Sequence, residues 1–284
     1  MPSRWAVLHR ITAQGGAPVD STRTDRAGRY RFRLDAVDTA AVYLVSTEWN
    51  GIGYFTAPVR LIGRPVDTLE TLVVYDTSSV GASTRLIRRL VTIVRGNAAD
   101  GAFDVLEAWS IENPGPTARV TDDTAHPVWQ VALPATAIQF QPRESDVSPD
   151  AVQRRGDAAA VFATIAPGGI RQISATYALP GDVRRVEIPL DQWTGQLDLL
   201  VEGEGITLSG AGVEPLGSEL IEGRTFQRFG GGPLESGGAV ALMLPSRRVG
   251  IGAALPIIVG VLAIALAGGM WLALRPRRID PRAA

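Results

Sequence analysis

Cysteine and lysine are both missing from this chain of 284 residues; its 28 basic residues are all arginine, and it has only two histidines, His9 and His126. The lack of cysteine excludes disulfides, thiolate catalysis and Cys-ligated metal. The lack of lysine excludes Schiff-base chemistry, a P-loop lysine and a Ser–Lys dyad. Such a complete use of arginine points to the codon bias of a GC-rich bacterial genome. Charge of one sign is lacking as well. The formal net charge is −1, which gives no electrostatic reason to expect nucleic acid as a partner.

Catalytic signatures are equally scarce. No Gly-x-Ser-x-Gly elbow occurs, and Ser209 and Ser236 sit in turn-like sequence with no histidine beside them. Gly230-Gly-Gly-Pro233 lacks the lysine and the helix of a phosphate loop and reads as a hairpin loop. Asp122, Asp123 and His126 form the one local cluster that could hold a divalent ion, but a second histidine at ligand spacing is missing. The expectation is a protein that is not an enzyme, with no catalytic residues, no metal and no cofactor.

What the chain does have is one long apolar run. Arg247 and Arg248 precede an uncharged stretch from Val249 to Leu274, and Arg275, Arg277 and Arg278 follow it. As a helix this stretch would be about 39 Å long, enough to cross a hydrocarbon core of about 30 Å with some tilt. Pro256, Gly260 and Leu266 lie along it, and Trp271 falls at the headgroup boundary that indoles favour. The arginine excess after Leu274 predicts a cytoplasmic C-terminus (279–284) and an extracytoplasmic body. A single-pass protein of a bacterial cell membrane, in contact with lipid through this helix, is the expected placement.

The body reads as many short strands divided by Gly and Pro turns, an all-β pattern. Tyr30, Phe32 and Leu34 alternate strictly with Arg29, Arg31 and Arg33, predicting a strand with an apolar and a solvated, arginine-bearing face. Further strands are expected at 42–45, 86–94, 103–112, 128–133, 137–141, 159–165, 172–179, 184–190, 197–202, 206–208, 219–226 and 239–244. Gln14–Pro18 reads as a turn, 71–75 as a brief strand, and 143–157 as a long polar loop. Trp109 and Trp129 alternate with apolar residues and are expected in the core. Trp49, beside Asn50-Gly51, is less easily buried, so Trp49 and Asn50 are the candidate binding residues.

Ala17-Pro-Val19, followed by Thr24-Asp-x-x-Gly28-Arg-Tyr-x-Phe32, resembles the carboxypeptidase regulatory-like domain of bacterial surface proteins. The resemblance covers roughly residues 5–57. It implies a small transthyretin-like β-sandwich without catalytic residues. That family usually begins with a further strand, so the resemblance, with the lack of an apolar signal core after Met1, predicts a natural start upstream; the alternative is that the C-terminal helix acts as a tail anchor with the body in the cytoplasm. The family's later Leu-Pro-x-Gly-x-Tyr turn is replaced here by Asp38–Tyr43. The expected organisation is a small sandwich in 1–60, a connector in 61–84, a larger β-sandwich in 85–246 and the membrane segment in 247–278. The function expected is a membrane-tethered binding or assembly module with a protein partner. The alternatives are a carbohydrate-binding surface protein and an accessory subunit of a membrane enzyme complex.

Overall fold

The computed structural model describes residues 3–62, 67–80, 84–96, 102–121, 123–210 and 212–244. The apolar run 249–274 and its flanking arginines lie outside them. Among the described residues no helix is long and apolar enough to cross a membrane. These residues are nearly all β, with one short 3₁₀ turn at Pro149–Ala151. They fall into two compact units, 1–78 with 115–118, and 79–114 with 119–284.

Unit 1 is built on one antiparallel sheet in the order β2-β1-β3-β4, from β1 (Trp5–Thr12), β2 (Gly15–Arg23), β3 (Val42–Trp49) and β4 (Ile52–Phe55). Alternation decides which side chains are buried. Ala6 and Leu8 of β1 and Tyr43 and Val45 of β3 face inward and form the core with Ala41. Tyr30, Phe32 and Leu34 pack against that core, and Arg29, Arg31 and Arg33 are exposed. The predicted two-faced pattern is therefore present, but the segment belongs to no hydrogen-bonded ladder. Packing of its apolar teeth holds it without strand pairing.

Gln14–Pro18 is a tighter feature than expected. The turn closes at Gly15, and Gly15–Arg23 pairs along β1 with a bulge opposite Leu8–His9. Leu61 and Leu69 also pack on the core, and the Tyr54 hydroxyl bonds the Tyr75 backbone. Much of the expected connector is thus part of unit 1, although 71–75 forms no strand. A brief strand, β5 (Thr77–Ser78), follows. Gly115–Ala118 belongs to this unit too, with the Ala118 amide donating to the Asp76 carbonyl.

Unit 2 is a sandwich. Its large sheet uses β6 (Arg85–Arg95), β7 (Phe103–Glu112), β10 (Ile138–Pro142), β13 (Ile170–Leu179), β15 (Leu197–Glu202), β17 (Glu214–Ile221) and β18 (Arg224–Gly231). Their order is β10-β13-β7-β6-β15-β18-β17, antiparallel except for the β6–β15 pair. Two three-stranded sheets share the same core. One has β11 (Val152–Arg155), β12 (Ala158–Val161) and β9 (Trp129–Ala132); the other has β14 (Arg185–Leu190), β19 (Gly238–Met243) and β16 (Thr207–Ser209). The two-residue β8 (Ala118–Arg119) completes the set of strands. Trp109, Ile111, Ile173, Leu197 and Leu199 of the large sheet meet Val131, Val161, Ile188, Val240 and Leu242 of the small ones in one continuous core.

Three expectations are corrected here. Residues 219–226 are not one strand, because Glu222 and Gly223 take positive φ (49° and 77°) and turn the chain into the β17–β18 hairpin. The polar stretch 143–157 is not all loop. Its end forms the 3₁₀ turn and β11, where Val152 is buried and the other three residues carry the polarity expected of a one-sided strand. Gly230 and Gly231 are strand residues paired with β15. A Cβ on Gly231 would collide with the Gly212 carbonyl, so glycine serves close backbone approach there.

Candidate functional site

Trp49 and Asn50 sit where β3 turns into β4. Asn50 (φ 50°) and Gly51 (φ 75°) make the two-residue mirror-type turn between the paired Trp49 and Ile52, and Asn tolerates that conformation better than most residues. The Trp49 indole N–H donates to the Asp76 carboxylate at 3.1 Å, and the Arg4 guanidinium lies over its ring, 4.3 Å from the centroid. One ring face and the polar edge of Trp49 are therefore already engaged within unit 1.

The His126 loop is organised by Asp123. Its carboxylate accepts from the Ala125 and His126 amides and lies 2.9 Å from His126 Nδ1. The His126 bonds and the Ala125 amide hold this exposed carboxyl below its ordinary range. Asp122 lies outside the described residues. Among the described residues no three histidine, aspartate or glutamate side chains are placed to hold a metal ion.

A second polar constellation joins residues that no sequence motif connects. Arg89 of β6, Glu107 and Trp109 of β7 and Tyr177 of β13 all point into the core of unit 2, and the side chains of Arg89 and Glu107 are 0% exposed. Arg89 stands opposite Trp109 in the ladder and diagonal to Glu107, and Tyr177 lies diagonal to Glu107 from the other side. Arg89 Nε donates to Glu107 Oε1 at 2.6 Å, as does the Trp109 indole at 2.8 Å, and the Tyr177 hydroxyl donates to Oε2 at 2.8 Å. The other two Arg89 nitrogens donate to the carbonyls of Pro189 and Ala132, in the two small sheets. One guanidinium thus ties all three sheets together. Burial first, and the Glu107 charge second, push the Tyr177 hydroxyl well above its ordinary pKa. With no solvent access and every carboxylate oxygen bonded, this cluster is built for cohesion. Trp109 and Trp129 meet edge to face beside it at 6.1 Å, as expected of core tryptophans.

The sequence signal for this cluster was parity. Glu107 shares the inward register of Val105, Trp109 and Ile111, and Arg89 shares that of Val91 and Ile93. Opposite charges on the apolar parity of two consecutive strands mark a buried pair.

The face that does meet water is the outer side of the unit 1 sheet. Trp5, Val7, His9 and Ile11 of β1 point there, opposite Ser46, Leu44 and Val42 of β3, with Phe55 of β4 at the rim. Trp5 is 52% exposed, Ile11 37% and Phe55 60%, and Val19 in the β2 bulge is exposed as well. His9 joins this surface, with Nε2 2.8 Å from the Ser46 hydroxyl and its ring 6.4 Å from that of Phe55. Arg23 rests over the Trp5 ring at 4.5 Å.

No protein-family model matches the chain, and no curated protein matches it. Solved structures show distant likeness. An M1 zinc metallopeptidase from Deinococcus radiodurans is 8% identical with a TM-score of 0.38, over 60% of this chain and 46% of that one. A putative protease from Parabacteroides distasonis is 10% identical with a TM-score of 0.36, over 58% and 41% of the two chains. A putative nutrient binding protein from Legionella pneumophila is 12% identical with a TM-score of 0.36, over 60% and 70%. The chain spans less than half of the metallopeptidase, and likeness at this level defines neither family nor activity.

Proposed function

We propose that this protein is a non-catalytic binding or assembly module, tethered to a bacterial membrane and displayed outside the cytoplasm, whose partner is a protein. The observation that carries the reading is the outer sheet face of unit 1, where Trp5, Ile11 and Phe55 stand in water on a regular strand register. Large apolar groups kept exposed in one patch are characteristic of interaction surfaces. The resemblance of residues 5–57 to the carboxypeptidase regulatory-like domain supports the same reading. The uncharged run 249–274 with arginines after it supports the tether and its orientation.

Phe55→Asp tests the binding surface, because Phe55 is too exposed for the change to unfold the unit. In mild detergent extracts the wild-type chain is expected to migrate as a complex on native gels, and the variant as a smaller species. Identical migration of the two would count against the surface. Placement is tested with cysteines introduced at Ser236 and Ala283 and a membrane-impermeant thiol reagent on spheroplasts. Labelling at Ser236 alone is expected, and labelling at Ala283 alone would reverse the orientation. Carbohydrate is the second reading, favoured by the exposed Trp5 indole, and would show as glycan binding that Trp5→Ala abolishes and Phe55→Asp leaves in place. An accessory role in an enzyme complex would show as co-purifying activity.

A further inference from the structure

The segment Arg29–Leu34 combines two features that the sheet-face reading does not use. Its side chains alternate as in a strand: Tyr30, Phe32 and Leu34 pack on the unit 1 core, and Arg29, Arg31 and Arg33 are exposed. The Tyr30 and Phe32 rings touch at 5.8 Å, which fixes the segment through its buried side. Yet from Tyr30 to Leu34 no backbone amide or carbonyl bonds any other described residue. A strand-like segment with a free backbone edge is a template for another strand.

The three guanidiniums supply the second feature. None forms an ion pair with a described carboxylate, whereas Arg88, Arg89, Arg154, Arg185, Arg224 and Arg228 all do. The nearest acid in sequence before them, Asp25, has a carboxylate oxygen turned to the Ala27 and Arg29 amides. In an extended chain, alternate side chains on one face repeat at about 6.6 Å. An incoming strand would place its own alternate side chains opposite these cations at the same repeat, where opposite charges stabilise cross-strand pairs.

We propose that Arg29–Leu34 is a β-augmentation site for an extended peptide segment of a protein partner, with acidic residues at alternate positions and apolar residues between them. The backbone edge provides pairing, and the arginine row selects the acidic face and fixes its register. This surface lies on the layer opposite the outer sheet face, so the two fail independently: Phe55→Asp leaves this site intact.

The probe is a labelled, end-capped peptide of eight alternating glutamate and valine residues, titrated by fluorescence anisotropy against the full-length chain in mild detergent. The expected result is binding that weakens at least tenfold, roughly, when salt rises from about 0.05 M to about 0.5 M. A glutamine–valine peptide, and the Arg29→Gln, Arg31→Gln, Arg33→Gln triple variant, should each lose at least tenfold, roughly, in affinity. The same peptide N-methylated on one central glutamate and on the adjacent valine, which blocks both alternating backbone edges, should fail to bind. Hydrogen exchange at 30–34 should slow on binding, and unchanged protection of Ala6–Leu8 in the triple variant would show that unit 1 is still folded. Absence of binding would overturn the proposal. So would equal binding by the N-methylated peptide or by polyphosphate, which would reduce the row to a plain polyanion surface.

Discussion

Arg89 and Arg31 both sit beside strongly apolar residues, yet the two units treat them in opposite ways. In unit 2 the Arg89 guanidinium is closed off from water and held by Glu107 and by two carbonyls from the facing sheets. In unit 1 Arg29, Arg31 and Arg33 stand in water, and so do the apolar side chains of Trp5, Ile11 and Phe55 on the sheet. Burying a charge is tolerable only when its partners are supplied in full. Unit 2 has a two-layer core deep enough to supply them. Unit 1 has one four-stranded sheet and a small core, and it encloses no charged side chain among its described residues. The contrast is between a charge enclosed with all its partners in unit 2 and a row of charges left in water on unit 1.

The most damaging way to break the enclosure is to leave half of it. Glu107→Ala strands the Arg89 charge in the core of unit 2 and should cost about 3–5 kcal/mol in chemical denaturation of the full-length chain. Replacing the pair together, as Arg89→Met with Glu107→Leu, removes the stranded charge but leaves the Trp109 indole, the Tyr177 hydroxyl and the Pro189 and Ala132 carbonyls unpaired, so it should recover only part of that loss. The triple arginine-to-glutamine variant of unit 1, in contrast, should move stability by no more than about 0.5 kcal/mol. If Glu107→Ala proved equally mild, the enclosure account would be wrong.

Gly231→Ala comes next. It forces a methyl group into the Gly212 carbonyl and should cost about 3 kcal/mol by the same measurement.

Tyr177→Phe removes a hydrogen bond to a charged acceptor and should cost about 2 kcal/mol at neutral pH. It also changes the alkaline behaviour. The Tyr177 pKa is raised on folding, so its contribution is present in full below the ordinary tyrosine value near 10. Above that value the unfolded chain gains by ionising its tyrosine while the folded chain cannot, and stability falls as pH rises. The slope of stability between about pH 10 and 11 should therefore be shallower in Tyr177→Phe than in wild type.

The smallest effect is a gain. The Thr92 hydroxyl is buried without a hydrogen-bond partner among the described residues, so Thr92→Val should stabilise unit 2 by about 1 kcal/mol.

Legibility in the sequence followed the reach of each interaction. Period-two patterning located most strands, and β7 and β15 have the predicted ends, because burial of alternate side chains is a local signal. The β17–β18 hairpin was hidden because Glu222-Gly223 lies inside an otherwise strand-like run and shows itself only through positive φ. β11 was hidden because one buried residue in four carries too little apolar signal. The ladder status of Arg29–Leu34 could not be read from alternation, which reports which face is buried and not what the backbone pairs with. The Arg89–Glu107–Tyr177 cluster joins residues far apart in the chain, and only strand register brings them together. The turn position of Trp49 is legible in the sequence, but what engages it, Arg4 and Asp76, comes from distant segments.

The contrast between the units is tested most directly by photo-crosslinking in native membranes, with benzoylphenylalanine placed singly at Phe55 and Ile11 of unit 1 and at Ile170 and Met243 of unit 2. All four positions are exposed, so each substitution should be tolerated. The account predicts a protein adduct of one defined mass from Phe55 and Ile11 and none from Ile170 or Met243. Adducts confined to Ile170 or Met243, with Phe55 and Ile11 silent, would contradict it.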